Sequence, residues 1–218
     1  MSGKKKRWLI IGSGGHAGVL LDTLLEAGES VLGFTDSDPA KNGERIFDFP
    51  VIGNDSIIQT MDPGEFQLAL GIGCTGPAYI RKKLYNHFSS SGWDFPIIRH
   101  PSAIVSPRAR VNQGAQILAR SFIGPGTFIG TNTIINSSGS IDHNCIIEDH
   151  VHIAPGVTLS GNVRIGECSH IGTGASIIQR VSIGKGCLIG AGSTVIRDIE
   201  EKTLAVGVPA KKIRVIHA

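Results

Sequence analysis

The chain has 218 residues, 29 of them glycine, with only 6% aromatic residues and a formal charge of +3. So small a positive excess gives little support to a nucleic-acid partner, and no stretch approaches the roughly 18 consecutive apolar residues of a transmembrane helix. Trp8 to Gly12 is too short for a signal-peptide core, so a cytoplasmic protein without integral membrane association is expected.

The basic run Lys4, Lys5, Lys6 and Arg7 reads as a solvated start. Trp8 to Gly12 follows as a buried strand, then Ser13-Gly14-Gly15-His16-Ala17-Gly18 and an amphipathic helix through about Ala27. Val31 to Thr35 is a second strand ending at Asp36. Beyond a turn-rich passage (Asp38-Pro39, Asn42-Gly43), a short helix is expected near Asp55 to Thr60, a strand over Phe66 to Leu70, and a helix around Ala78 to Phe88. Strands alternating with helices imply a small parallel sheet, with ligands at the carboxyl ends of its strands. Gly12-x-Gly14-x-x-Ala17 is a dinucleotide-type turn, in which bare backbone N–H groups can approach a pyrophosphate at a helix start. About ninety residues leave little room for the two mononucleotide-binding halves of a redox domain. Asp36 is placed to accept hydrogen bonds from a ribose or a base. His100-Pro101 is a stiff junction, because proline holds the residue before it extended; the boundary is set there, giving a Rossmann-like domain over 1–99 and a second domain over 100–218.

From Val105 to Val195 every sixth residue is a branched aliphatic, Ile117, Ile135, Ile153, Ile171 and Ile189 among them, without a failure. A period of six fits neither a helix nor a half-buried strand; it fits a hexapeptide solenoid. Small or β-branched residues recur two positions before each aliphatic, and glycine often follows it. Three hexads per coil give five coils, a prism about 24 Å tall at the usual strand spacing. The four cysteines show neither metal spacing nor a paired framework. Cys145 and Cys187 fall at the small inward position as core fillers.

The hexads resemble the left-handed β-helix acyltransferases, typically trimers with active sites between prisms. Gly-Ser-Gly-Gly-His, His-Pro-Ser-Ala, Ser-Gly-Ser-Ile-Asp-His-Asn and Gly-Val-Pro-Ala-Lys together resemble the bacterial sugar acetyltransferases that include UDP-4-amino-sugar N-acetyltransferases of bacillosamine synthesis and sialic acid O-acetyltransferases. The fold so implied is a small α/β Rossmann-like domain followed by a left-handed parallel β-helix, as a homotrimer. The chemistry implied is direct acetyl transfer from acetyl-CoA to a nucleotide-linked amino sugar of the UDP-4-amino-4,6-dideoxy-N-acetylhexosamine type, with no metal.

The resemblance makes His143 the base, and an imidazole of ordinary pKa near 6.5 suits proton removal near neutral pH. Where the bacillosamine enzymes have a glutamate after the base, this chain has Asn144; Asp142 is then a possible orienter. By the same resemblance His152, Thr173 and Ala191 line the acetyl-CoA channel and Asn136 stands beside the base. Gly14, Gly15, His16, Asp36, Ser37 and Gly71 contact the nucleotide sugar. Lys211 and Lys212 offer cations to coenzyme A phosphates. Three other readings stand beside this one. Sialic acid O-acetylation is the nearest. A zinc carbonic anhydrase would use histidines such as His143, His150, His152 and His170, though its His-x-x-x-x-His pair is missing. A noncatalytic assembly protein would keep the prism and lose the base.

Overall fold

The computed structural model describes residues 5–217 and divides into two compact units. One comprises the chain through Gly73 together with Lys83–Pro96; the other comprises Cys74–Lys82 and everything from Ile97 onward. Lys4 of the basic start lies outside the described residues, while Lys5 and Lys6 pair with Glu29 and Asp94. Among the described residues no helix is long and apolar enough to cross a membrane.

In the first unit, β1 (Arg7–Ile11) is followed by α1 (Gly15–Glu26) and β2 (Val31–Thr35), then the hairpin strands β3 (Arg45–Ile46) and β4 (Phe49–Pro50), and β5 (Phe66–Leu70). The helix α2 (Tyr79–Ser90) gives its first turn to the second unit and its remainder to the first. The sheet is parallel throughout, in the order β2-β1-β5. Its central strand is apolar on both faces because both are covered: Leu9, Ile10 and Ile11 are fully buried. Tyr85 and Phe88 of α2 pack with Trp93 and Phe95 against Leu9, Leu68 and Leu70.

The hairpin was not legible as such. Its turn residues Phe47 and Asp48 have φ of 44° and 67°, the left-handed pair a two-residue hairpin requires. The usual Asn-Gly or Asp-Gly signal is absent.

The second unit is a parallel β-solenoid of two-residue strands stacked in three sheets. Residues eighteen apart pair directly: Ile123 with Ile141, Ile141 with Leu159, and Leu159 with Ile177. Each aliphatic of the six-residue series from Ile117 to Val195 is at most 1% exposed, and full burial of such a side chain contributes about 1.5–3 kcal/mol. The stack is taller than the aliphatic series alone implies. Ile98–Arg99 adds a rung below Gln116–Ile117, and Thr203–Val206 adds one above Leu188–Ile189. Lys211–Val215 closes that sheet edge as an antiparallel strand. The lower rung keeps the eighteen-residue register but sets Arg99 where the aliphatic would stand, and the upper rung pairs Ala205 with Ile189 out of that register, which is why the aliphatic periodicity found neither.

Two turn positions carry different constraints. Every sixth residue from Gly114 to Gly192, including Asn132, Asn144, His150 and Asn162, has positive φ; this corner lies three residues after the aliphatic. Glycines directly after the aliphatic have another cause. A Cβ at Gly166 would stand 2.6 Å from the backbone of Gly184, one coil on. Hydroxyls at the small inward position clamp the coil above: Thr133 donates to Glu148 O and accepts from Val151 N.

Candidate functional sites

In the amino-terminal unit, Gly14 is the cap of α1 with no side-chain hydrogen bond of its own. A Cβ at Gly14 or Gly15 would meet nothing within 4 Å, and both residues are exposed, so the helix start borders open space there. Gly71 answers a packing demand instead: a Cβ there would come within 2.7 Å of Ala17 and Ile10. Asp36, at the end of β2, accepts from the Ser13 hydroxyl, from Lys41 Nζ at 2.8 Å and from Asp38 N at 3.0 Å. Burial pushes its carboxyl pKa up, but the hydrogen bonds from Lys41, Ser13 and Asp38 outweigh that and hold it at about 2. His16 is partly buried beside Gly73, and Ser37 is exposed.

A cavity of about 350 Å³ opens along the start of α1, lined by Ser13, Gly14, Gly15, Gly18, Val19, Asp22, Ile46 and Phe47. His16, Asp36, Ser37 and Gly71 do not line it. The Phe47 ring is 72% exposed and lies close over Gly18. A cation, an exposed helix start and an aromatic face are thus presented by one small unit, a combination suited to a phosphate-bearing ligand with a ring. Lys41 and Phe47 were missed in the sequence, because neither belongs to the glycine motif.

On the solenoid, His152, Thr173 and Ala191 line one cavity of about 460 Å³. The His152 side chain is buried, with Nδ1 3.0 Å from the carbonyl oxygen of Cys74 and Nε2 3.2 Å from Asn136 Nδ2. A carbonyl only accepts, so Nδ1 carries the proton and Nε2 accepts from the Asn136 amide. Asn136 therefore joins His152. Cys74 and His170 also line this cavity; Cys74 Sγ lies 3.2 Å from His152 Nδ1 and 3.9 Å from His170 Nδ1. No local motif announces this meeting, since Cys74 is brought in by the segment 74–82, whose Ala78 N donates to Cys168 O and whose Arg81 Nε donates to Asn132 O. Burial pushes the Cys74 thiol up to about 11 and His170 down to about 4. His150 stands elsewhere, against the Asn132 side chain. Lys211 is exposed on the terminal strand and does not line the cavity.

His143 occupies a turn of a different sheet from His152. Its own segment is fixed from several sides. Thr127 Oγ1 donates to Asp142 O and accepts from Cys145 N, Asn144 N donates to Pro125 O, and Asn162 N donates to His143 O. Asp142 spends its carboxylate on the backbone N–H of His143, at 2.7 Å, rather than on the ring. The ring is exposed; its Nδ1 is 3.0 Å from Asn144 Nδ2, and it lies over Gly161 so closely that a Cβ there would be 2.5 Å from Cε1 and Nε2. Gly161 is eighteen residues after His143 and has no positive φ to explain it. It leaves room for the imidazole.

Residues 7–88 match the PglD N-terminal domain, and residues 162–197 match the six-repeat bacterial transferase hexapeptide. The acetyltransferase domain of PglB from Neisseria gonorrhoeae FA1090 is 32% identical, with a TM-score of 0.89 over 96% of this chain and 100% of that chain, and is known in complex with acetyl coenzyme A. PerB from Caulobacter crescentus, in complex with CoA and GDP-perosamine, is 35% identical, with a TM-score of 0.88 over 95% of this chain and 97% of that chain.

Proposed function

The chain belongs to the hexapeptide-repeat acetyltransferases that carry a PglD-type amino-terminal domain, and we propose that it moves acetyl from acetyl-CoA to the amino group of a nucleotide-linked sugar. The acceptor is of the UDP-4-amino-4,6-dideoxy-N-acetylhexosamine type, in bacterial glycan synthesis in the cytoplasm. The carrying observation is the His143 turn, an exposed imidazole held over a bare Gly161 with its Nδ1 engaged by Asn144.

Acetyl-CoA lies along the cavity of His152, Thr173 and Ala191, with the phosphates toward Lys211. The nucleotide sugar takes the α1 start, using the N–H groups at Gly14 and Gly15, Lys41 and the Phe47 ring. His143 and this cavity occupy different sheets of one solenoid, so a cyclic homotrimer supplies the base from one subunit to the cavity of the next. The presence of both parts in every chain, on different sheets, supports that assembly.

Base chemistry at Nε2 requires the proton on Nδ1. Asn144 then presents its carbonyl oxygen to Nδ1–H, which is the amide turned over; amide oxygen and nitrogen are distinguished only by such bonding. The neutral amine attacks the thioester carbonyl carbon, His143 Nε2 takes the proton shed as the tetrahedral intermediate forms, and collapse breaks the carbon–sulfur bond and expels the CoA thiolate. A backbone N–H beside the thioester stabilises the oxyanion. Asn144 steadies the imidazole without a charge.

The test is thiol release from acetyl-CoA with UDP- and dTDP-linked 4-amino sugars, GDP-perosamine and free sialic acid, each repeated with His143→Ala. Turnover confined to a nucleotide amino sugar and lost in the variant is expected; turnover on sialic acid alone refutes the amine acceptor.

A further inference from the structure

We infer that Cys74, His152 and His170 form a binding site for a soft divalent cation, typified by Zn²⁺, and that a bound cation obstructs the cavity the three residues share. Their ligand atoms all lie within 4.8 Å of one another. Around a tetrahedral zinc, Zn–S of about 2.3 Å and Zn–N of about 2.0–2.1 Å put sulfur and nitrogen about 3.5 Å apart. The two sulfur–nitrogen distances, 3.2 and 3.9 Å, straddle that value, while the three ligand atoms together span up to 4.8 Å, so the two rings must close toward each other on binding.

His170 belongs to the cavity wall rather than to the transfer chemistry. It is 8% exposed and borders the cavity. Its ring contacts are the Cys74 thiol at 3.9 Å and the edge of His152, 4.8 Å between centroids. A neutral imidazole nitrogen is a good ligand for zinc. The transfer chemistry proposed above does not use His170. Thiolate and imidazole together select zinc-like cations over magnesium or calcium, which prefer oxygen.

Binding exchanges the Cys74 S–H bond for a sulfur–metal bond, and one proton per cation leaves to solvent. The His152 ring proton moves from Nδ1 to Nε2, giving up the bonds to the Cys74 carbonyl and from Asn136. Those losses place the affinity below that of a dedicated structural zinc site. The fourth position faces the cavity, where water or a free thiol can fill it. The site stands on geometry alone; its effect on turnover rests on the acetyl-CoA reading of the cavity.

The experiment titrates the full chain with Co²⁺, whose thiolate charge-transfer and tetrahedral ligand-field bands report sulfur ligation directly. One equivalent per chain is expected, lost in Cys74→Ser and His170→Phe. In the unaltered chain, Zn²⁺ should slow alkylation of Cys74 at least tenfold, a measurement independent of how the variants fold. Zn²⁺ should also raise the apparent KM for acetyl-CoA severalfold, reversed by chelation. No Co²⁺ uptake, or uptake unchanged in both folded variants with no protection of Cys74, overturns the site. Bound zinc that leaves the KM unchanged overturns the obstruction. A chain that takes up Co²⁺ through Cys74 but transfers no acetyl group supports the site and refutes the functional proposal instead.

Discussion

Gly161→Ala separates the position of the base from the stability of the fold. The added methyl carbon would lie 2.5 Å from Cε1 and Nε2 of His143, against an ordinary carbon contact of about 3.5–4.0 Å. The ring must therefore retreat by about 1 Å, and a displacement of that size can reduce turnover about 10²-fold. Gly161 lies outside the positive-φ residues, so alanine suits its backbone and stabilises by about 0.4–1 kcal/mol through the unfolded chain. The variant should thus melt at or slightly above the parent temperature while kcat for acetyl transfer falls about a hundredfold. The assay pairs thiol release with thermal unfolding, and repeats both in a His143→Ala background, where the second substitution should add nothing. A kcat within threefold of the parent, or equal losses in both backgrounds, refutes the reasoning.

Asn144→Asp keeps a residue type that tolerates the corner φ of 56° and puts a charge beside the ring; the acid limb of the kcat/KM profile should move up by about one pH unit, and an unmoved limb sinks that assignment. Phe47→Ala removes the exposed ring beside the helix start, so KM for the nucleotide sugar should rise about tenfold, as for loss of a stacking face, with kcat unchanged; a kcat effect without a KM effect counts against it. The Ser13–Asp36–Lys41 linkage carries its own pH signature. The Asp36 pKa is lowered from 3.8 to about 2, so its contribution is complete above the unfolded value and fades as pH falls from near 4 through 2. Acid unfolding of Asp36→Asn should lack that component, and an identical acid transition in both proteins would refute it.

The solenoid was legible because a single constraint repeats. An inward aliphatic needs another branched aliphatic eighteen residues away, so Ile117, Ile135 and Ile153 leave a mark that no other arrangement explains. The small sheet was legible from the apolar run of β1 and the turn at Gly14. What escaped was spatial rather than periodic. Cys74 meets His152 across 78 positions, Phe47 owes its exposure to a turn lacking the usual residues, and Gly161 looks like any turn glycine until the ring above it is seen. The glycines that often follow the aliphatic were visible, but their cause was not: close passage of the next coil holds them, while conformational freedom is needed at the corner three residues after the aliphatic.

Stacking in strict register also turns sequence distance into direction. Between Gln116 and Val195 eighteen residues bring a side chain back to the same wall one storey up, so position along the chain serves as an angle as well as a height. Removing one hexad between His143 and Thr173 would swing every later residue a third of a turn onto the wrong wall. Removing three would lower the upper storeys and leave their bearing unchanged. Length variation in such a chain is therefore quantised: whole storeys can be gained or lost at its ends or middle, and bulges can grow outward at corners, while any other change of length dismantles the alignment on which both histidines depend.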